Sequence, residues 1–326
     1  MNPESVNEIS SQQRDAASHE ETAFHTEVHP AMRIVVLLGL VLLGTAIFSI
    51  LGIVLAVFLY HLNIIANPNV LSDTSVPGVI PALKIIQTAS ALGIFVLPAL
   101  VFARMSAKRP LAFLGLDKIP KPAWIALAVF TMLFAGPLIN LMGELNSRMN
   151  FPESLAGVQH WMLDKENEAA KLTTEFLKAD GPSGLVVNLL IVALLAALGE
   201  ELFFRGVLQK LLSRWMNSRH LAIWVTAIVF SAIHMQFFGF LPRLAIGALL
   251  GYLYVWSGSL WVPILAHFTN NAFAVIVTYL IQHKTISSQA ETVGNSKEDL
   301  VYILVSLFLT TALIFVSWKF RKKQEF

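Results

Sequence analysis

Three short stretches set reactive polar side chains inside strongly apolar sequence. Glu200, Glu201 and Arg205 follow the run Leu195–Gly199, His234 closes the run that starts at Phe230, and His267 precedes Asn271 by four residues. Ionisable groups at membrane depth are costly and mark functional sites by default. Neighbours on a helix point about 100° apart, so Glu200 and Glu201 are expected to have different surroundings. Glu201 and Arg205, at i and i+4, are expected to pair on one face. That leaves Glu200 without an obvious cation, as suits a general base. At about 1.5 Å of rise per residue, Glu200 lies about 18 Å and His234 about 20 Å from the cytoplasmic ends of their helices, so the two are expected to meet. His267 and Asn271 share a helix face and present two donors to one point, which suits a developing oxyanion. His267 counts to a depth of only about 10 Å, so either its helix starts earlier or the site is a cavity open toward the cytoplasm.

Blander readings stand beside each of these. Glu201 and Arg205 serve equally as a structural ion pair, His234 as a helix-packing hydrogen bond, and His267 with Asn271 as a polar clamp between helices. Cysteine is absent from the 326 residues, which removes disulfides, thiol nucleophiles and Cys-based zinc sites together.

The elements that must position these residues are helices in a bilayer. The chain is 56% hydrophobic and 13% charged, with mean hydropathy +0.65; soluble domains carry about 25% charged residues. The expected fold is an all-α, polytopic integral membrane protein with about eight transmembrane helices. A span needs roughly 20 apolar residues, and the candidates fall at about 34–60, 82–103, 122–143, 184–212, 221–239, 243–257, 260–282 and 299–318. The interiors of the first, second, third and last carry nothing like the polar residues above. Gly247 and Gly251 form a small-xxx-small pair for close packing, and Ser257-Gly258-Ser259 makes a short turn into Trp261.

Residues 1–32 read as an acidic, disordered cytoplasmic tail, leaving 33–326 as the membrane domain with a catalytic core at 184–283. Lys and Arg concentrate after the second and fourth spans and at the C-terminus, so both termini are expected in the cytoplasm and 144–183 outside. Within that outer segment Phe151, Leu155, Val158 and Met162 recur at helical spacing, and Leu172 with Phe176 forms a second set. The segment reads as an interfacial helix or as a lid over the site. The net charge of +2 gives no reason to expect nucleic acid.

At these residues the chain resembles the CAAX prenyl protease and bacteriocin-processing family of intramembrane proteases. Glu200-Glu201-Leu-Phe-Phe-Arg205 resembles its Glu-Glu-xxx-Arg motif, Phe230 to His234 its Phe-xxx-His motif, and His267 to Asn271 its His-xxx-Asn motif. The resemblance covers about 184–275. It implies an integral membrane endopeptidase acting on a membrane-associated peptide or protein, with the lipid bilayer as its other partner. It assigns catalysis to Glu200, His234, His267 and Asn271: Glu200 and His234 would activate water, while His267 and Asn271 would stabilise the tetrahedral intermediate. Glu201 and Arg205 would support them. Glu200, His234 and His267 also form a possible Zn²⁺ ligand set, although the His-Glu-xx-His helix is absent; no cofactor is the preferred alternative. A bacterial inner membrane is the expected location. The competing readings are a transporter, which the missing inverted repeat disfavours, and a non-catalytic immunity or scaffold protein using the same polar cavity.

Overall fold

A computed structural model describes residues 27–321, except 65, 150 and 151, together with Thr22 and Phe24. Most of the acidic tail and the last five residues lie outside the described residues.

Among the described residues the elements are helical, without strands. Seven helices are long and apolar enough to cross a membrane: α1 (Pro30–Tyr60), α2 (Val79–Ser106), α3 (Pro122–Ser147), α5 (Pro182–Met216), α7 (Phe240–Ser257), α8 (Trp261–Gln282) and α9 (Leu300–Phe320). Between α3 and α5 lies α4 (Ala156–Leu177), and between α5 and α7 lies the shorter α6 (Arg219–Ala232). The protein is a polytopic all-α membrane protein. Seven of the eight expected spans appear with bounds close to those read from hydropathy. The fifth is corrected: it holds 14 residues and stops at Ala232, whereas the apolar sequence continues to 239.

Small residues let the helices meet. A Cβ on Gly44 would stand 2.2 Å from Gly93 O, and one on Gly93 would stand 2.4 Å from Gly44 O, so α1 and α2 touch backbone to backbone. Without a hydrophobic drive between helices in lipid, such close packing and polar ties do the joining. The α9 Ser306 hydroxyl supplies one tie, donating to Phe134 O of α3 at 2.6 Å, one turn before Pro137.

The loops sort to two ends. At the basic end, Leu260 N–H donates to Gly115 O (2.9 Å) and the Trp261 indole N–H to Leu116 O (2.9 Å), joining segment 107–121 to the turn before α8. At the opposite end lie α4, the α6–α7 loop and residues 283–299. There the Asn140 amide donates to Glu291 O and Val293 O, both at 2.9 Å.

Two π turns interrupt α5, at Leu189–Leu195 and Phe204–Leu208. They bracket Glu200 and Glu201. Such widened turns free backbone groups for other partners and recur at functional sites.

Candidate active site

Below Glu200, toward the basic end, everything is sealed. Residues 201–209 are buried without a gap. The Arg205 guanidinium is fully enclosed and donates to Glu201 Oε1 and to Gly247 O, both at 2.8 Å. Its face lies 4.9 Å from the centre of the Phe230 ring, a cation–π contact. One turn on, the Gln209 amide donates to Gly251 O at 3.3 Å. Gly247 and Gly251 thus accept, through their carbonyls, from two side chains of α5. A Cβ on Gly251 would stand 2.8 Å from Gln209 Oε1 and 2.9 Å from Ile223 Cγ2.

His267 of α8 is buried between the two glutamates. Its Nδ1 meets Glu201 Oε1 at 2.8 Å, and its Nε2 faces Glu200 Oε2 at 3.9 Å. Glu201 Oε1 therefore joins an arginine and a histidine. Such a carboxylate fixes the tautomer and ring orientation of its imidazole. Glu200 Oε2 is itself buried and makes no hydrogen bond, and its carboxylate lines a cavity of about 260 Å³. The neighbouring carboxylates thus differ: Glu201 is held through Oε1 on the sealed side, while Glu200 lines the cavity, although the Oε2 of each is buried without a hydrogen bond.

The imidazole that faces Glu200 most directly is that of His267. His234 lies beyond the end of α6, in a turn before Met235, whose φ is +52°. Its Nδ1 bonds to Phe230 O at 2.7 Å, and its ring meets the Phe230 ring edge-on at 5.1 Å. Phe230 also contacts the His267 ring at 5.9 Å, so both histidines pack against this phenylalanine.

Asn271 reaches across to the first π turn of α5. Its amide donates to Val192 O at 3.3 Å, and its Oδ1 accepts from Asn270 Nδ2 at 3.2 Å. The second amide N–H of Asn271 is left for another acceptor.

Two charged residues escaped the sequence reading. Lys84 sits within α2, where no counterpart was expected; its ammonium donates to Asn188 Oδ1 at 2.6 Å. Arg243, three residues into α7, donates to Gln236 O at 3.2 Å and to Gln236 Oε1. A position count inside each apolar run would have flagged both. The Glu200 cavity runs between α2, α5 and α4, toward the end away from the basic loops.

A zinc centre of the expected kind needs three protein ligands around one point. Among the described residues no group of three or more His, Asp or Glu side chains is placed to hold a metal ion. Glu200 and His267 supply two facing donors, while the other nitrogen of His267 is engaged by Glu201.

Residues 182–273, from the start of α5 into α8, match the family model of the Rce1-like type II CAAX prenyl endopeptidases. The segment that carries the three motifs is therefore Rce1-like, as the resemblance implied. The chain is also 35% identical over 91 residues to the uncharacterized protein YpbD of Bacillus subtilis (strain 168), across 27% of this chain and 43% of that relative. The match thus spans less than half the relative's length. No solved structure matches.

Proposed function

We propose that the protein is an intramembrane endopeptidase that hydrolyses a peptide bond of a membrane-associated peptide or protein. One observation carries the reading: a buried, unbonded carboxylate oxygen, Glu200 Oε2, stands 3.9 Å from His267 Nε2, and Glu200 lines a largely apolar cavity. One water can bridge such a gap. Glu200 takes a proton from that water as its oxygen attacks the scissile carbonyl carbon. The proton then passes to the amide nitrogen as the C–N bond breaks. His267, oriented by Glu201 and Arg205, is the second group in reach of the water and of the tetrahedral oxygen. The remaining N–H of Asn271 is the further donor to that oxygen. His234 completes the site from the α6–α7 loop.

The route uses no cofactor. Metal-stripped protein is expected to keep its activity; loss of activity restored by Zn²⁺ would overturn this part. The bilayer that holds the substrate is a bacterial inner membrane, with both chain termini on the cytoplasmic side as the basic loops indicate. Residues 184–283 are the catalytic core of a membrane domain spanning 33–326. The deciding experiment is mass spectrometry of membrane peptides from cells that carry the intact protein or its Glu200→Gln variant. Cleavage products should appear only with the intact protein. Identical peptide sets, with both proteins present in the membrane, would sink the protease reading.

A further inference from the structure

Helix α4 lies outside the Rce1-like segment, yet it touches the site at two places. Toward its C-terminal end, Leu172, Thr173, Phe176 and Leu177 line the cavity that contains Glu200. Toward its N-terminal end, Glu166 Oε2 accepts from Phe238 N–H at 3.3 Å, and the Trp161 ring packs on Phe237 at 5.3 Å. Phe237 and Phe238 belong to the loop that begins at His234. We propose that α4 couples entry of the substrate to the position of His234, with Trp161 and Glu166 as positioning residues and Leu172 with Phe176 as the sensing surface. This rests on the protease reading above.

The helix is mounted for such a motion. No residue of α4 is buried. Its C-terminal end is pinned: Leu177 O accepts from the buried Asn188 amide at 2.9 Å, Asn188 Oδ1 accepts from Lys84 at 2.6 Å, and the Lys84 ammonium lies 5.4 Å from the Phe176 ring centre. Elements with few buried contacts open at low free-energy cost. The loop at the other end also has hold points of its own. Phe237 O accepts from the Asn146 amide at 2.6 Å, and Gln236 is held by Arg243. A cavity of about 260 Å³ is smaller than the several-residue segment a protease must grip. A segment entering it pushes Leu172 and Phe176 outward, and α4 turns about its Leu177 anchor. Trp161 and Glu166 ride on the same helix, so the loop follows and His234 moves relative to Glu200 and His267. Among the described residues the sole carboxylate in the cavity wall is Glu200, so the segment that drives this motion is apolar and carries no acidic side chain beside the scissile bond.

The cysteine-free chain makes the test direct. Spin labels placed on Asp164→Cys and Thr285→Cys, in the non-cleaving Glu200→Gln background, report the position of α4. The probe is a synthetic uncharged Leu/Ala peptide in phosphatidylcholine–phosphatidylglycerol vesicles. The label separation should change when the peptide is added. An unchanged separation, whether or not the peptide binds, overturns the proposal. Steady-state cleavage by the protein with native Glu200 tests the coupling itself. Glu166→Ala is expected to lower kcat about fivefold, the worth of one hydrogen bond, with KM unchanged, and Glu166→Gln, which keeps the acceptor oxygen, should restore it. Phe176→Ala should alter KM instead. If kcat is unchanged in both Glu166→Ala and Trp161→Ala, α4 does not position His234. A label shift without cleavage by any variant would keep the coupling and remove the protease reading.

Discussion

The two halves of α5 on either side of Glu200 are built on opposite plans. From Glu201 to Gln209 every residue is buried, and Arg205 and Gln209 tie the helix to Gly247 and Gly251 of α7. Each half holds one π turn, but from Pro182 to Gly199 the helix borders a cavity that α4 also lines, and α4 buries none of its own residues. The division falls between two adjacent glutamates. One half makes a rigid floor that fixes the tautomer of His267. The other leaves room for a substrate and for movement. Preorganised groups aimed from a rigid support are what a reacting carbonyl requires, and rigidity on one side frees the other side to open.

Substitutions on the two sides should separate stability from activity. The largest effect is expected at Arg205→Ala. Removing one member of a buried pair leaves Glu201 uncompensated and costs about 3–5 kcal/mol, read as a fall in the thermal midpoint in detergent. Retained stability would mean that the floor is less closed than its contacts indicate. Glu200→Gln should do the reverse. Turnover drops by about 10²- to 10⁴-fold, the usual contribution of a general base, while the thermal midpoint holds; a matching loss of stability would erase the distinction between the halves. Gly251→Ala tests the floor more gently. Its methyl group crowds Gln209 and Ile223 and is expected to destabilise by about 1–3 kcal/mol, as overpacking does; chemical denaturation of the reconstituted protein measures it. The smallest shift belongs to Asn271→Ala, which loses the tie to Val192 O at a cost of about 0.6 kcal/mol. Its effect on kcat should exceed its effect on stability, and equal effects would reduce Asn271 to a clamp.

Much of the floor could be read from the sequence, because its contacts are local or periodic. Glu201 and Arg205 pair at i, i+4 on one helix. Gly247 and Gly251 announce a close helix approach, although what approaches them, Arg205 and Gln209, does not follow from their spacing. The open side was far less legible. The place of His267 between the two glutamates depends on the register of α8 against α5, and no spacing within one helix encodes it. The end of α6 was hidden too. Residues 228–241 are apolar almost throughout, and what stops the helix is tertiary: Met235 turns into positive φ, Ser231 Oγ donates to Phe240 O at 2.7 Å, and Asn146 holds Phe237 and Leu241. The π turns likewise left no mark in the hydropathy pattern.

The brevity of α6 has a consequence for the lipid around it. Fourteen residues rise about 21 Å, against a hydrocarbon core of about 30 Å, while α1 with 31 residues reaches about 46 Å. Leu221, Trp224 and Ile228 of α6 are exposed, so acyl chains meet the short helix directly. Hydrophobic mismatch of this kind is relieved by local thinning, at fractions of a kcal/mol per Å. The flank that bears the His234 loop is therefore expected to respond to the thickness of the bilayer around it.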